Sequence, residues 1–483
     1  MTHPTAAASH GVSKENVVRI EFDQGTLTLF GTPETLAPVA GHVLWDERTL
    51  CYRAEAMHYG PIMLTLHKLK IPFTDHARRF ATHPLAPRND PPPRPHQKEA
   101  FEAWIGAQRR GVVVLPTGAG KTLVAHMAIA HVRRDTLIIV PTIDLMLQWH
   151  ERLGQSFGVT IGLLGGGNHM LETITVSTYD SAVLFMERIG NRFGLIIFDE
   201  CHHLPAPSTR LMAAMAIAPF RLGLTATPER ADGAEGDLER LVGPICHRSE
   251  IGELEGRYLA PYELRTIAID LDDDERIAYD AAYTQYKEFA RASGISFRNP
   301  QGWSQFIKVC ARSQEGRQAY AAYRMQKKIA RASRAKLRAV WRLLIGHRHE
   351  RVLLFTDDNA TAYAIAETFF LPVITHHTRP AERVRLLEGF RDGTLPFLVN
   401  SRILNEGVDV PDVSVGIIVS GSGSVREHVQ RLGRILRPRQ GKQAILYELV
   451  SGDTAETFTS ERRRQHAAYQ KNTPDQEEQN ESG

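Results

Sequence analysis

Two short stretches hold residues able to do chemistry. One is LPTGAGKT, residues 115–122, which closes a valine run and opens a helix-like segment. The other is FDECHH, residues 198–203, which sets the carboxylates of Asp199 and Glu200 against the Cys201 thiol and the imidazoles of His202 and His203. In the first stretch, Thr117, Gly118, Ala119 and Gly120 form a turn whose backbone N–H groups can converge on a phosphate at the positive end of a helix. Lys121 is then placed to neutralise β- and γ-phosphates, and the Thr122 hydroxyl to hold magnesium. Leu115 stands where such a loop usually begins with glycine. The second stretch admits three chemistries: a zinc cluster, a cysteine–histidine nucleophile pair, or the carboxylate half of a magnesium–nucleotide site.

Zinc needs roughly four convergent ligands, and the four cysteines (Cys51, Cys201, Cys246, Cys310) contain no Cys-x-x-Cys pair. The adjacent His376 and His377 fall at an expected strand end, where neighbouring side chains point to opposite faces, so shared ligation is not expected. A cysteine closing a buried strand behaves as a small hydrophobe. A phosphate loop, in contrast, requires a carboxylate at the end of a neighbouring strand. FGLIIFDE supplies it, with Asp199 to bind magnesium and Glu200 to orient and deprotonate the attacking water. The magnesium reading is therefore preferred.

These residues need a scaffold. The runs GVVVLP, TLIIVP, TITVST, FGLIIFD and FRLGLTATP read as buried strands separated by helices, which predicts a parallel sheet covered on both faces. RVLLFTDD, PVITHH, PFLVNS, VSVGIIVS and QAILYELVS predict a second such unit. Ahead of both lies a block over residues 1–88 with strands and a short helix, ended by the proline-rich run between Pro84 and Pro95. The expected units are 1–88, 89–250 and 251–465, with a helical insertion over about 275–343 and a disordered acidic tail over 466–483. Within 301–345, Lys308, Arg312, Arg317, Arg324, Lys327, Lys328, Arg331, Arg334, Lys336, Arg338 and Arg342 face one acid, Glu315. That excess favours contact with a nucleic-acid backbone over a merely solvated face. Trp303, Phe306 and Tyr320 suit base stacking or core packing equally. Net charge is only +3, so the whole chain is not marked as a polycation. Apolar and charged fractions of 42% and 23% fit a globular protein. With no membrane-length apolar run and no signal-like N-terminus, a cytoplasmic location and no membrane partner are expected.

In chain order, LPTGAGKT, PTIDLMLQW, STYDS, DECH, LTATP, LLFTDDN, NEGVDVPD and QRLGRILRP resemble the ordered motifs of superfamily-two DEAD/DEAH-type helicases, over about 94 to 440. RPHQKEAFEAW, GLTATPER and LYELVSGDTAETF are most similar to the XPB type in its shorter archaeal and bacterial form, and LWDERTLCYRAEAMHYG resembles the small damage-recognition domain that precedes its motor. The resemblance implies an α/β fold: two tandem RecA-like parallel-sheet lobes, a small N-terminal α+β domain and a thumb-like helical insertion. It implies ATP and Mg2+ as cofactors, with ATP between the two sheets, and DNA at a duplex/single-strand junction as the partner. Gln97 matches the adenine-reading glutamine; Gly407 and Asp409 match the ribose-holding element. His202, Thr225, Thr227 and Gln430 match the relay from nucleotide to nucleic acid, and Arg434 and Arg437 match arginine fingers for the γ-phosphate. The implied activity is an ATP-dependent 3′-to-5′ DNA helicase or translocase of excision repair, serving a nuclease partner. Two other readings are a motor subunit of a restriction or defence complex and an ATP-switched DNA-binding platform. One element departs from the family pattern: Arg230-Ala231-Asp232 stands where Arg-Glu-Asp is usual, which bears on how a duplex junction is opened.

Overall fold

The computed structural model describes residues 17–228, 236–254, 258, 262–297, 299, 301–401, 413–421 and 444–457. The chain makes two compact units: residues up to Ser249 other than Pro116–Ala119, and Glu250 onward together with Pro116–Ala119.

The first unit holds two sheets. Strands β1 (Val18–Asp23), β2 (Thr26–Phe30), β3 (Leu44–Asp46), β4 (Cys51–Glu55) and β5 (Phe73–Asp75) pair in the order β3-β4-β2-β1-β5, antiparallel except for β1 with β5. Alternation decides which face is buried: Val18 and Ile20 from β1 pack with Leu27 and Leu29 from β2, beneath Ile62 and Leu66 of the helix Tyr59–Lys68. The turn between β1 and β2 has Gln24 and Gly25 both at positive φ, the geometry that matches strand twist in a two-residue hairpin. This small core also contains Ile217, and Asn191 donates to the carbonyl of Ala77, so the N-terminal sheet is seated on the larger one.

The larger sheet contains β6 (Arg110–Val114), β7 (Thr136–Val140), β8 (Ile161–Gly165), β9 (Asn168–Met170), β10 (Ile174–Thr178), β11 (Leu195–Asp199), β12 (Phe220–Thr225) and β13 (Ile245–Arg248), in the order β13-β6-β12-β11-β7-β10-β8-β9. Every pair is parallel except β8 with β9. The central strands β7, β10 and β11 are buried along their whole length, as strands with helices on both faces must be. Because β6 and β11 flank β12, the segments after these three strands emerge side by side at the carboxyl edge.

The second unit has β14 (Tyr262–Ile269), β15 (Val352–Thr356), β16 (Val373–Ile374), β17 (Phe397–Ser401), β18 (Val415–Ile418) and β19 (Ala444–Ser451), all parallel, in the order β14-β19-β18-β15-β17-β16. Helices Asp273–Ala292, Gly302–Cys310 and Gln314–Ala332 build a separate core around Tyr286, Phe306, Ala319 and Ala322. The next helix, Arg334–Gly346, instead packs Val340 and Leu344 on the sheet. The helical body thus ends near 332 rather than 343.

The basic run is less free than its composition suggests. Lys336 is fully buried, donating to the carbonyl of Val419 and to Glu456. Arg331 binds Asp357 and Asp358, Arg334 pairs with Asp272, Asp274 and Glu275, and Arg338 pairs with Asp272. Phe306 belongs to the core, while Trp303 and Tyr320 keep over a third of their surface exposed.

Candidate active site

Strand β6 runs into the loop of Pro116 to Gly120, and its end is tied to β12 by the Leu115 N–H donating to the carbonyl of Thr225, 3.0 Å. Gly118 and Gly120 sit at φ of +88° and +90°, a conformation a β-carbon would strain. Gly120 caps the helix Lys121–Val132, so Lys121 and Thr122 occupy its first turn, where unpaired N–H groups favour an anion. A side chain at Gly120 would also collide with Gln97. Gln97 is buried beside the loop, and its Oε1 accepts from the Arg94 N–H at 2.8 Å, capping the helix Pro95–Gly106.

One strand beyond β12, β11 delivers the acids. Asp199 is 6% exposed and held at three points. Its Oδ2 accepts from the Trp149 indole N–H at 2.8 Å, its Oδ1 from the Glu200 N–H at 3.1 Å, and its carbonyl from the Tyr179 hydroxyl at 3.1 Å. Burial, followed by the charge of Glu200, raises its pKa, and Lys121 opposes that rise. Glu200 has φ of +49°, a left-handed conformation costing a non-glycine residue about 1–2 kcal/mol. The turn that follows holds it there, with His203 N–H donating to the Glu200 carbonyl at 3.1 Å.

The Lys121 ammonium nitrogen lies 3.5 Å from Glu200 Oε1, is shielded from solvent and makes no hydrogen bond. A buried ammonium with three unused donors is a seat for an anion's oxygens. Thr117 Oγ1 is likewise shielded and without a hydrogen-bond partner. Asp199 keeps lone pairs on both oxygens beyond the bonds it accepts, so a divalent cation has a carboxylate to bind. No group of three or more His, Cys, Asp or Glu able to hold a metal exists among the described residues. Magnesium takes few protein ligands and completes its shell with phosphate and water.

The Cys201 thiol is fully buried, and burial plus the charges of Glu200 and Asp199 push its pKa upward, away from a nucleophilic thiolate. His202 is fully buried, with Nδ1 at 3.2 Å from Thr225 Oγ1 and 3.4 Å from Glu200 Oε2. The Thr225 hydroxyl donates to the carbonyl of Thr227 at 3.0 Å, so it accepts from His202, and Nδ1 carries the hydrogen. Thr227 N–H returns a bond to Thr225 Oγ1 at 3.2 Å. A hydrogen-bonded line thus runs from His202 through Thr225 to Thr227, and Glu200 Oε2 faces the His202 end of it without a hydrogen bond. His203 is half-buried against the rings of Tyr179 and His202.

Lys121, Thr122, Asp199, Glu200, His202, Thr225, Thr227 and Gln97 therefore share one sheet edge. Gly407, Asp409, Gln430, Arg434, Arg437 and the Arg230-Ala231-Asp232 element lie outside the described residues. One expectation changes: His376 and His377 sit in a turn after β16, not on opposite faces of a strand, and their ring centroids are 3.9 Å apart. The sequence reading missed Trp149 and Tyr179 as partners of Asp199; Trp149 closes the quoted stretch PTIDLMLQW, and its signal was a buried aromatic with a polar N–H needing an acceptor. Among the described residues, no helix is long and apolar enough to cross a membrane.

Residues 20–77 match the Xeroderma pigmentosum group B helicase damage recognition domain, 90–230 the type III restriction enzyme res subunit, and 308–473 the ERCC3/RAD25/XPB C-terminal helicase. The chain is 39% identical to the DNA 3′-5′ translocase XPB2 of Sulfurisphaera tokodaii, over 87% of this chain and 95% of that one. It is 30% identical to the DNA 3′-5′ helicase XPB of Mycobacterium tuberculosis, over 93% and 77%. With the DNA 3′-5′ helicase XPB of Kineococcus radiotolerans it shares 34% identity over 78% of this chain, spanning 63% of that longer protein.

Proposed function

The chain belongs to the XPB family of DNA 3′-5′ helicases and translocases, and on that premise we propose that it is an ATP-driven DNA motor whose hydrolytic site is the sheet edge around Lys121, Asp199 and Glu200. The observation that carries the reading is the Lys121 ammonium, buried and without a hydrogen bond beside a paired carboxylate. A buried ammonium that makes no hydrogen bond is costly, and a site that keeps one is built for an anion that comes and goes.

ATP is held by Thr117, Gly118, Ala119, Gly120, Lys121 and Thr122, with Gln97 beside them and Gly407 and Asp409 as further binding residues. Thr122 and Asp199 would hold magnesium, which would supply withdrawal of charge from the phosphate oxygens. Glu200 accepts the proton of the attacking water. Its strained backbone and the Lys121 contact fix where its carboxylate stands before the substrate arrives. Arg434 and Arg437 complete the charge stabilisation, a role worth about 10³-fold or more in rate where arginine fingers operate. The line Glu200–His202–Thr225–Thr227, with Gln430, lets a change at the carboxylate reach the end of β12 without crossing solvent.

We read 1–88 as the damage-recognition-like domain, 89–250 and 251–465 as the two lobes, and the helical segment after β14 as a backbone-binding thumb. The remaining exposed cations, among them Arg324 and Lys328, support that role. Excision repair with a nuclease partner is the proposed setting. Unwinding of DNA and RNA duplexes carrying 3′ or 5′ tails, with ATP and magnesium, tests the proposal. Opening of 3′-tailed DNA is expected; action on RNA alone, or only from 5′ tails, contradicts it.

A further inference from the structure

We infer that Trp149 is a positioning residue for the metal-binding carboxylate, a role that rests on reading Asp199 as a magnesium ligand. Trp149 lies on the helix Ile143–Phe157, is 3% exposed and donates its indole N–H to Asp199 Oδ2 at 2.8 Å. The indole is itself immobilised. His126, from the helix that begins at Lys121, stands edge-on to it at 6.3 Å, and His126 Nδ1 is bound to Asp90 at 2.9 Å. The indole N–H therefore reaches Asp199 along a fixed line.

The carboxylate needs that restraint. The terminal torsion of aspartate is broad and nearly two-fold, so geometry alone does not aim its oxygens. Lys121 attracts the same carboxylate electrostatically and already pairs with Glu200. Held by the Glu200 N–H alone, Asp199 can turn Oδ2 toward the ammonium, and the group meant for phosphate is then neutralised by protein. The indole N–H is a neutral donor, so it holds Oδ2 without cancelling the negative charge that a cation requires. Tyr179 acts on the same residue from behind, fixing its carbonyl at 3.1 Å. Two helices that follow β7 and β10 thus grip the acid that ends β11, and its aim depends on both.

The test uses the full chain and titrates Mg2+ against the affinity for ADP, read by calorimetry, so no turnover is needed. W149F keeps the ring and removes the donor. It should raise the half-saturating Mg2+ concentration about 10-fold, the lower end of the effect of losing a partner behind a metal ligand. ADP affinity in EDTA should be unchanged. D199N is the control. If D199N loses the magnesium dependence and W149F titrates like the wild type, the positioning role is wrong while the site stands. If D199N keeps the dependence, the site reading itself fails. Should W149F not fold, Mn2+·ADP added to the 15N-labelled wild type replaces it: one of the five indole N–H signals should broaden, and none broadening overturns the role.

Discussion

Both parallel sheets end a central strand with two acids, and the two pairs have different fates. Asp199 closes β11 and Glu200 follows it; Asp357 and Asp358 follow β15. Asp357 is as buried as Asp199, yet Arg331 binds both Asp357 and Asp358, and Asp358 also caps the helix Asn359–Phe369 by accepting from the Thr361 N–H at 2.8 Å. The second pair is bridged by a permanent guanidinium, with Asp358 also spent on the helix cap. The first is held by a neutral indole and by a lysine left short of hydrogen bonds. Position at a sheet edge offers carboxylates to a ligand; the kind of counter-group decides whether they remain available or become a strut.

The largest effect expected from that contrast is in E200Q, which should lower ATP turnover by about 10²- to 10⁴-fold, the usual loss when a general base is removed, while leaving chemical denaturation of the first unit nearly unchanged. A loss of stability with turnover intact would reverse the assignment. In the second unit the pattern should invert. R331M removes the guanidinium that Asp357 and Asp358 share and should destabilise that unit by roughly 3 kcal/mol, read from urea unfolding. D358A removes the helix cap and should cost about 1 kcal/mol, measured the same way. Smallest is the effect of the exposed thumb cations. R324A or K328A should each reduce the slope of log DNA affinity against log salt by about 1, whereas R338A, whose charge is spent on Asp272, should leave it unchanged.

The residues of the candidate site were more legible than those that support them. Lys121, Asp199 and Glu200 stand out because a glycine-bearing turn and a buried strand each leave a local signature. The strands β7, β10 and β11 were equally plain, being apolar along their length. By contrast β8 is short and glycine-bearing, and β9 and β13 are partly polar edge strands, so their pairing comes from neighbours. The basic run misled for a related reason. Its count over 301–345 saw only Glu315, while the acids that consume Arg331, Arg334, Lys336 and Arg338 lie at 272–275, 357–358 and 456, brought close only by folding. Trp149 was quoted in a motif, but nothing local tells an indole in a core from one bonded to a carboxylate 50 residues away.

The central claim is that the Lys121 ammonium awaits the phosphates of ATP at a working hydrolytic site. Multiple-turnover phosphate release by the full chain, with DNA and magnesium, compared between wild type and K121A, tests it most directly. Sustained, DNA-stimulated release is expected from the wild type and none above background from K121A, with K121A still folded. Equal release from both proteins would contradict it.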